Sequence, residues 1–165
     1  MTRVYFVRHA ESDNAVLDGR VRPLTEKGLA DRGLVTAFLS DKDIDVMLSS
    51  PFKRAVDTIA HFAEIDGFEI EMVEGFGEQI SSSYFDDKEK FPDPIVRKQA
   101  ITDYLKHRWA DFSYKISDDD DGETLLDVQK RNIAALSEVL THHRGKNIVI
   151  GTHSTKPVNH HKLLR

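Results

Sequence analysis

The sequence predicts a three-layer α/β/α sandwich with a mainly parallel central sheet. Four short β-prone runs alternate with longer segments whose apolar residues recur at helical spacing. Such alternation is typical of parallel sheets whose strands are joined by helical crossovers. The length of 165 residues favours one domain, which we assign to residues 1–155, leaving residues 156–165 as an atypical tail.

The first strand and the first helix are predicted close to the N-terminus. The run from Val4 to Val7 is short, β-prone and bounded by charge, which indicates a buried strand. A helix is predicted from Thr25, whose hydroxyl can cap it, to about Ser40. We expect its buried face to consist of Ala30, Leu34, Val35 and Phe38.

The second strand and the second helix follow directly. The run from Asp45 to Ser49 predicts a strand, and Ser50 with Pro51 predicts a helix cap and a first-turn proline. The third strand is predicted from Glu69 to Val73. The helix between these two strands should bury one stripe, formed by Ala55, Ile59, Phe62 and Ala63.

A long loop opens the second half of the chain. Residues 75–95 are rich in Gly, Ser, Asp and Pro, and loops of this length in compact domains are often functional. A helix is predicted from Ile95 to Trp109, and another opens at Gly122. We expect the latter to bury Leu125, Ile133, Leu136 and Leu140. The fourth strand is predicted from Asn147 to Gly151.

Composition excludes several classes of protein. The chain is 39% hydrophobic and 31% charged, which suits an ordinary globular protein. No run reaches about 18 apolar residues and the N-terminus shows no signal peptide, so we expect no membrane partner. The net charge of −5 argues against a nucleic-acid partner. The absence of cysteine excludes disulfides and thiol-ligated zinc, and it fits a cytoplasmic location.

Residues suited to phosphate chemistry follow three of the predicted strands. Arg8 and His9 follow the first strand, Arg54 lies just beyond the second, and His153 follows the fourth. Ligands in parallel sheets bind beyond the carboxyl ends of the strands, where these segments should meet. Arginine binds phosphate oxygens bidentately, and a neutral imidazole is a competent nucleophile. Each residue alone has an ordinary structural explanation, but together they predict a phosphoryl-transfer site.

Four segments carry a resemblance to a known family. The runs VYFVRHAES, PLTEKG, SSPFKRAVDT and IVIGTHST resemble, in order and spacing, the signature segments of the histidine phosphatase superfamily, which is phosphoglycerate mutase-like. RHAES resembles its RHG motif, and GTHST resembles its GTHG motif. The resemblance implies that His9 is the nucleophile. It also implies that Arg8, Arg54 and His153 form the phosphate pocket.

The resemblance implies further site residues. The family places an acid after the third strand, and Glu78 occupies that place, where it would protonate the leaving oxygen and then activate water. Gln79 follows it where arginine is common. Ser12 and Asn14 are candidates to reach the phosphate, and exposed turn positions are the alternative for both. Because arginines supply the positive charge, we expect neither a metal nor a cofactor.

The implied activity is a phosphatase acting on a small phosphorylated substrate through a phosphohistidine. Three alternatives stay open: a phosphoglycerate mutase, a phosphohistidine protein phosphatase, and a non-catalytic phosphate-binding module of the same fold. A mutase must cover a bisphosphate intermediate while it reorients, so the short chain favours the phosphatase.

The C-terminus departs from the family pattern. Family members continue with an apolar helix and at least one further strand, whereas TKPVNHHKLLR is polar and basic and contains Pro157. We expect these C-terminal elements to be lacking. One explanation is a frameshift after about Thr155, since one back-translation of the tail encodes an apolar helix in a shifted frame. The other is a short variant with a disordered tail. An apolar patch left uncovered would favour a homodimer or aggregation.

Overall fold

The computed structural model describes residues 1–118 and 120–153. Contacts divide these residues into two compact units, one formed by residues 1–78 and 132–153 and the other by residues 79–131 without residue 119. The predicted tail, the predicted loss of C-terminal elements, and Ser154 and Thr155 of the GTHST segment all lie outside the described residues. No helix in the described ranges is both long and apolar enough to cross a membrane.

The first unit is built on a parallel sheet of four strands. Its members are β1 (Arg3–Arg8), β2 (Val46–Ser49), β3 (Ile70–Met72) and β4 (Asn147–Thr152). Their spatial order is β1-β4-β2-β3, and every neighbouring pair is parallel. The predicted strands and the predicted parallel sheet are therefore confirmed. In this order the carboxyl ends of β1 and β2 flank that of β4.

Two helices cover one face of this sheet. They are α1 (Glu26–Leu39) and α2 (Lys53–Asp66). The buried stripe predicted for α2 is confirmed, because Ile59 and Ala55 are fully buried and Phe62 and Ala63 nearly so. Ile59, Phe62 and Ala63 pack with Leu39 of α1 and with sheet residues, and so form one of the two cores.

The buried face predicted for α1 is wrong in part. Leu34 and Phe38 are 72% and 54% exposed, and Ala30 is exposed as well, whereas Val35 packs against the core. The face that turns inward instead carries Gly28 and the fully buried Leu39. Gly28 fixes this rotation, since it lies so close to the backbone of Glu11 that no side chain would fit between them.

The predicted start of α2 is also wrong. The helix begins at Lys53, two residues after Pro51, and its N-cap residue Phe52 makes no side-chain cap. Ser50 is fully buried before the helix rather than at its cap. Its hydroxyl accepts a hydrogen bond from the Phe52 amide at 3.3 Å and also contacts His153.

The opposite face of the sheet is covered by α4 (Leu125–His142), whose residues from 132 onward belong to the first unit. Ala135 and Val139 pack there on the strand residues Leu48, Ile148 and Ile150. Helices on both faces confirm the three-layer architecture.

The buried face predicted for α4 is only partly right. Leu125 is buried and Leu136 packs against the core, as predicted. Ile133 and Leu140 are 60% and 38% exposed, since Ala135 and Val139 take the inward positions.

The second unit contains the predicted long loop and α3 (Pro94–Ala110). Two short 3-10 helices, Glu74–Phe76 at the end of the first unit and Ser83–Asp86 in the second, are the regular elements described between residues 74 and 93. Asp93 caps α3 by accepting a hydrogen bond from the Ile95 amide at 2.7 Å. The loop and the helix were therefore predicted correctly.

Candidate active site

The two histidines of the resemblance lie next to each other at the carboxyl edge of the sheet. His9 follows β1 and His153 follows β4, and these strands pair directly. The His9 amide donates to the Thr152 carbonyl at 3.0 Å, which extends the strand pairing to the site. The two imidazole rings are 5.3 Å apart between centroids and tilted by 56°. The parallel register thus delivers two imidazoles to one place.

The His9 ring is oriented by its own loop. Its Nδ1 lies 2.7 Å from the Ala10 carbonyl oxygen, which can only accept, so Nδ1 carries the proton and Nε2 carries the lone pair. Burial is the largest influence on the His9 pKa and lowers it, and the guanidinium groups of Arg54 and Arg8 lower it further. The Ala10 hydrogen bond and the Glu78 carboxylate oppose this without reversing it. His9 is therefore held neutral, as a nucleophile requires.

Arg54 is a buried cation at the base of the site. Its position at the start of α2 was predicted, and its residue is 3% exposed. One guanidinium nitrogen donates to the Gly19 carbonyl, and Nη2 lies 3.3 Å from Glu78 Oε2. The guanidinium also lies over the Phe52 ring, 4.9 Å from its centroid. Because arginine stays protonated even where burial lowers its pKa, this group brings a fixed positive charge.

The structure places Glu78 against both Arg54 and His153. It follows the 3-10 helix Glu74–Phe76, where the 2% exposed ring of Phe76 anchors the chain in the core. Glu78 Oε2 is 3.4 Å from His153 Nδ1. One ligand atom from each of Glu78, His9 and His153 lies within 4.8 Å of the other two. Glu78 therefore sits where it can exchange a proton beside His9, and the same three side chains could hold a metal ion.

The remaining predicted site residues, Arg8, Ser12 and Asn14, differ in their position relative to His9. Arg8 is exposed at the end of β1, yet its charge acts on His9. Ser12 is placed by a backbone bridge to Leu24. The Asn14 side-chain oxygen lies 3.4 Å from Arg22 Nη1. The Arg8 charge therefore lowers the His9 pKa, whereas no hydrogen bond joins the Ser12 or Asn14 side chain to His9 among the described residues.

Three residues at the site were missed by the sequence reasoning. Ser50 Oγ is 2.8 Å from His153 Nε2. Thr58 Oγ1 accepts from the Ala10 amide at 3.0 Å and donates to the Arg54 carbonyl at 2.7 Å. Thr58 could have been found, because it lies one helical turn after Arg54 in SSPFKRAVDT.

Arg22 is the third missed residue. Its Nε donates to the Val16 carbonyl at 2.9 Å, and its charge is close enough to add to the lowering of the Arg54 pKa, which burial dominates. No carboxylate of the described residues forms an ion pair with Arg22. Nothing in the sequence distinguishes this arginine from Arg20, which pairs with Glu74 at 2.7 Å.

Comparisons with known proteins agree with this geometry. Residues 4–156 match the family model described as histidine phosphatase superfamily (branch 1). Phosphoserine phosphatase 1 of Hydrogenobacter thermophilus is 29% identical over an alignment of 165 positions, which covers 93% of this chain and 72% of that protein.

Solved structures share the fold. The alpha-ribazole phosphatase from Shigella flexneri has a TM-score of 0.70 at 19% identity, covering 92% of this chain and 73% of that one. YhfR of Bacillus stearothermophilus has a TM-score of 0.69 at 23% identity, covering 93% and 74%. At these identities the two structures show the fold alone.

Proposed function

This chain belongs to the histidine phosphatase superfamily, and we propose that it hydrolyses a small phosphomonoester through a phosphohistidine on His9. The observation that carries the proposal is the convergence of a neutral His9 with a buried arginine, a carboxylate and a second imidazole. These are the groups that a two-step phosphoryl transfer needs: a nucleophile, fixed positive charge and a proton carrier.

In the first step, the His9 Nε2 lone pair attacks phosphorus while the bond from phosphorus to the ester oxygen breaks. Protonated Glu78 gives its proton to the leaving oxygen, so an alcohol departs. Arg8, Arg54 and His153 stabilise the charge on the phosphoryl oxygens. In the second step, Glu78 takes a proton from water, the oxygen attacks phosphorus, and the electron pair of the N–P bond returns to Nε2.

This scheme needs no metal, because arginine charge replaces that of an ion. Arg54 is held in place by Gly19 and Glu78, so its charge costs no reorganisation during the reaction. We expect turnover to be unchanged after exhaustive treatment with EDTA. A loss of activity that added Mg²⁺ or Mn²⁺ restores would contradict a metal-independent reaction.

The substrate we propose carries a carboxylate near its phosphate. Arg22 adds a further guanidinium near Arg54 and is held by neutral partners such as the Val16 carbonyl. A planar guanidinium is well suited to a carboxylate. The name of the relative phosphoserine phosphatase 1 points to a substrate of this kind.

A matched pair of substrates tests this specificity. O-phosphoserine and phosphoethanolamine differ by one carboxylate, so we expect phosphoserine to have the higher kcat/KM. Arg22→Gln should reduce that preference and leave the rate with phosphoethanolamine close to that of the wild type. A preference that survives Arg22→Gln would remove Arg22 from substrate recognition.

The central experiment compares wild type and His9→Ala in turnover of p-nitrophenyl phosphate. We expect the variant to be inactive and the wild type to yield an acid-labile phosphoenzyme on quenching. His142→Ala is a suitable control, since this exposed histidine lies on α4 and hydrogen-bonds to the Glu138 carbonyl of its own helix. Equal rates in wild type and His9→Ala would exclude the mechanism.

The alternatives are separated by two further measurements. Conversion of 3-phosphoglycerate to its isomer would establish a mutase. Release of phosphate from a phosphohistidine protein faster than from small esters would establish a protein phosphatase. Binding of inorganic phosphate without turnover of any ester would leave a non-catalytic phosphate-binding module.

A further inference from the structure

The geometry points to a second use of the same pocket: His9, Glu78 and His153 form a binding site for a divalent transition-metal ion such as Zn²⁺, and its occupancy stops turnover. One ligand atom from each residue lies within 4.8 Å of the other two. A single ion placed among them would need only small side-chain movements to reach all three.

The two imidazoles are held in the way that metal-binding histidines are held. His9 Nδ1 donates to the Ala10 carbonyl at 2.7 Å, so its Nε2 is the nitrogen able to bind an ion. His153 Nε2 lies 2.8 Å from Ser50 Oγ, and its Nδ1 faces Glu78 Oε2 at 3.4 Å. Metal-ligating histidines almost always donate their other ring N–H to a fixed oxygen, which orients the ring.

The donor set selects the kind of ion. Two imidazole nitrogens and one carboxylate match sites that bind Zn²⁺ and its neighbours in the first transition row, with a further position open to water. Mg²⁺ and Ca²⁺ prefer oxygen ligands, so the pocket should discriminate against them.

The charges around this site weaken metal binding, so we expect the ion to bind reversibly. Arg54 forms an ion pair with Glu78 at 3.3 Å, and that pair must loosen when the carboxylate turns to a metal ion. The guanidinium groups of Arg54 and Arg8 also repel a cation. We therefore expect binding weaker than in a structural zinc site, as suits an inhibitor.

Inhibition follows from the identity of the ligand atom. The His9 Nε2 lone pair cannot bind an ion and attack phosphorus at the same time. This part of the inference rests on the proposed function, whereas the binding of the ion does not.

Cobalt(II) makes the binding visible, because its absorption bands report imidazole and carboxylate coordination. We expect wild-type protein to bind Co²⁺ with such bands, Zn²⁺ to displace it, and Mg²⁺ to leave it in place. Glu78→Gln and His153→Gln should each lose the bands. Ser50→Ala, which removes the oxygen that orients His153, should weaken binding about tenfold.

Matched controls exclude binding elsewhere. His142→Ala should retain the bands, and so should a variant carrying both His160→Ala and His161→Ala, which removes an adjacent histidine pair. Thermal unfolding of every variant establishes that it is folded. Bands that persist in folded Glu78→Gln and His153→Gln, or that disappear in the control variants, would overturn the site.

Turnover then tests the inhibition separately. We expect Zn²⁺ to abolish hydrolysis of p-nitrophenyl phosphate and EDTA to restore it. Co²⁺ bands at this site together with full activity would contradict His9 as nucleophile and leave the metal site standing. Activity without any metal binding would contradict the metal site and leave the proposed function standing.

Discussion

The protonation of His9 depends on burial more than on its charged neighbours. Burial lowers its pKa below the ordinary value of 6.5, and Arg54 and Arg8 act in the same direction. The imidazole therefore stays neutral below the pH at which an exposed histidine becomes charged. The sequence pattern predicted that Arg8 and Arg54 meet His9 at this edge of the sheet, but the burial of His9 could be known only from the fold.

The first prediction is that His9 titrates with a midpoint below pH 6.5, and that the acid limb of kcat/KM lies there too. Since the folded pKa is the lower one, the associated stability is fully present above pH 6.5 and is lost as pH falls from 6.5 through the folded pKa. The measurement is an NMR titration of the ring protons, assigned with His9→Asn. A midpoint at or above 6.5 would contradict it.

The second prediction concerns Thr58, which holds the backbone just after His9. Thr58→Val leaves the half-buried Ala10 amide without its acceptor, and an unsatisfied donor removed from water costs up to about 1–3 kcal/mol. We expect a loss of unfolding free energy of that size and a lower kcat/KM. Thr58→Ser keeps the hydroxyl and should retain most of both. If the two variants behave alike, the hydroxyl is not what positions His9.

Elements were predicted better than their orientations. All four strands and the helical segments follow from local patterns of apolar residues, which depend on the chain alone. The buried face of α1 does not follow from such patterns, because the close approach of Gly28 to the Glu11 backbone decides how the helix is rotated about its axis. Leu34 and Phe38 fit an apolar stripe equally well, and periodicity does not tell two overlapping stripes apart.

The third prediction tests that contact with two glycines of α1. A Cβ at Gly28 would lie 2.1 Å from the Glu11 carbonyl oxygen, whereas one at Gly33 would meet nothing within 4 Å. Gly28→Ala should therefore destabilise the protein by about 1–3 kcal/mol through overpacking. Gly33→Ala should stabilise it by about 0.5–1 kcal/mol, because alanine favours a helix.

Chemical denaturation measures both changes, and p-nitrophenyl phosphate turnover adds a readout of the site. Glu11 lies two residues after His9, so Gly28→Ala should also lower turnover. An equally small change in the free energy of unfolding for both variants would show that the Glu11 loop moves to accommodate the added methyl group, and would contradict the prediction.

For the molecule as a whole, the parallel topology brings the predicted site residues together. Residues separated by more than a hundred positions meet because β1, β4 and β2 end at the same edge. Arg22 and Ser50 escaped prediction because their roles depend on neighbours brought by the fold. The division into two units was not foreseen either. A homodimer and a cytoplasmic location stay predictions.

The last prediction couples the site to global stability. A ligand that binds only the folded state adds about 2.7 kcal/mol at a hundred times its Kd, which raises Tm by about 5–10 °C for a chain of this size. Inorganic phosphate should produce this shift in wild-type protein. Arg8→Gln should lower it, because Arg8 is exposed beside His9 and its loss removes a proposed phosphate ligand without disturbing the core.

Arg3 provides the matched control, since it is an exposed arginine at the opposite end of the same strand. Arg3→Gln changes the net charge by the same amount as Arg8→Gln, so any general effect of charge on phosphate binding is common to both. We expect the full phosphate shift in Arg3→Gln and a reduced one in Arg8→Gln, measured by differential scanning fluorimetry. Equal shifts in the two variants would remove Arg8 from the phosphate site.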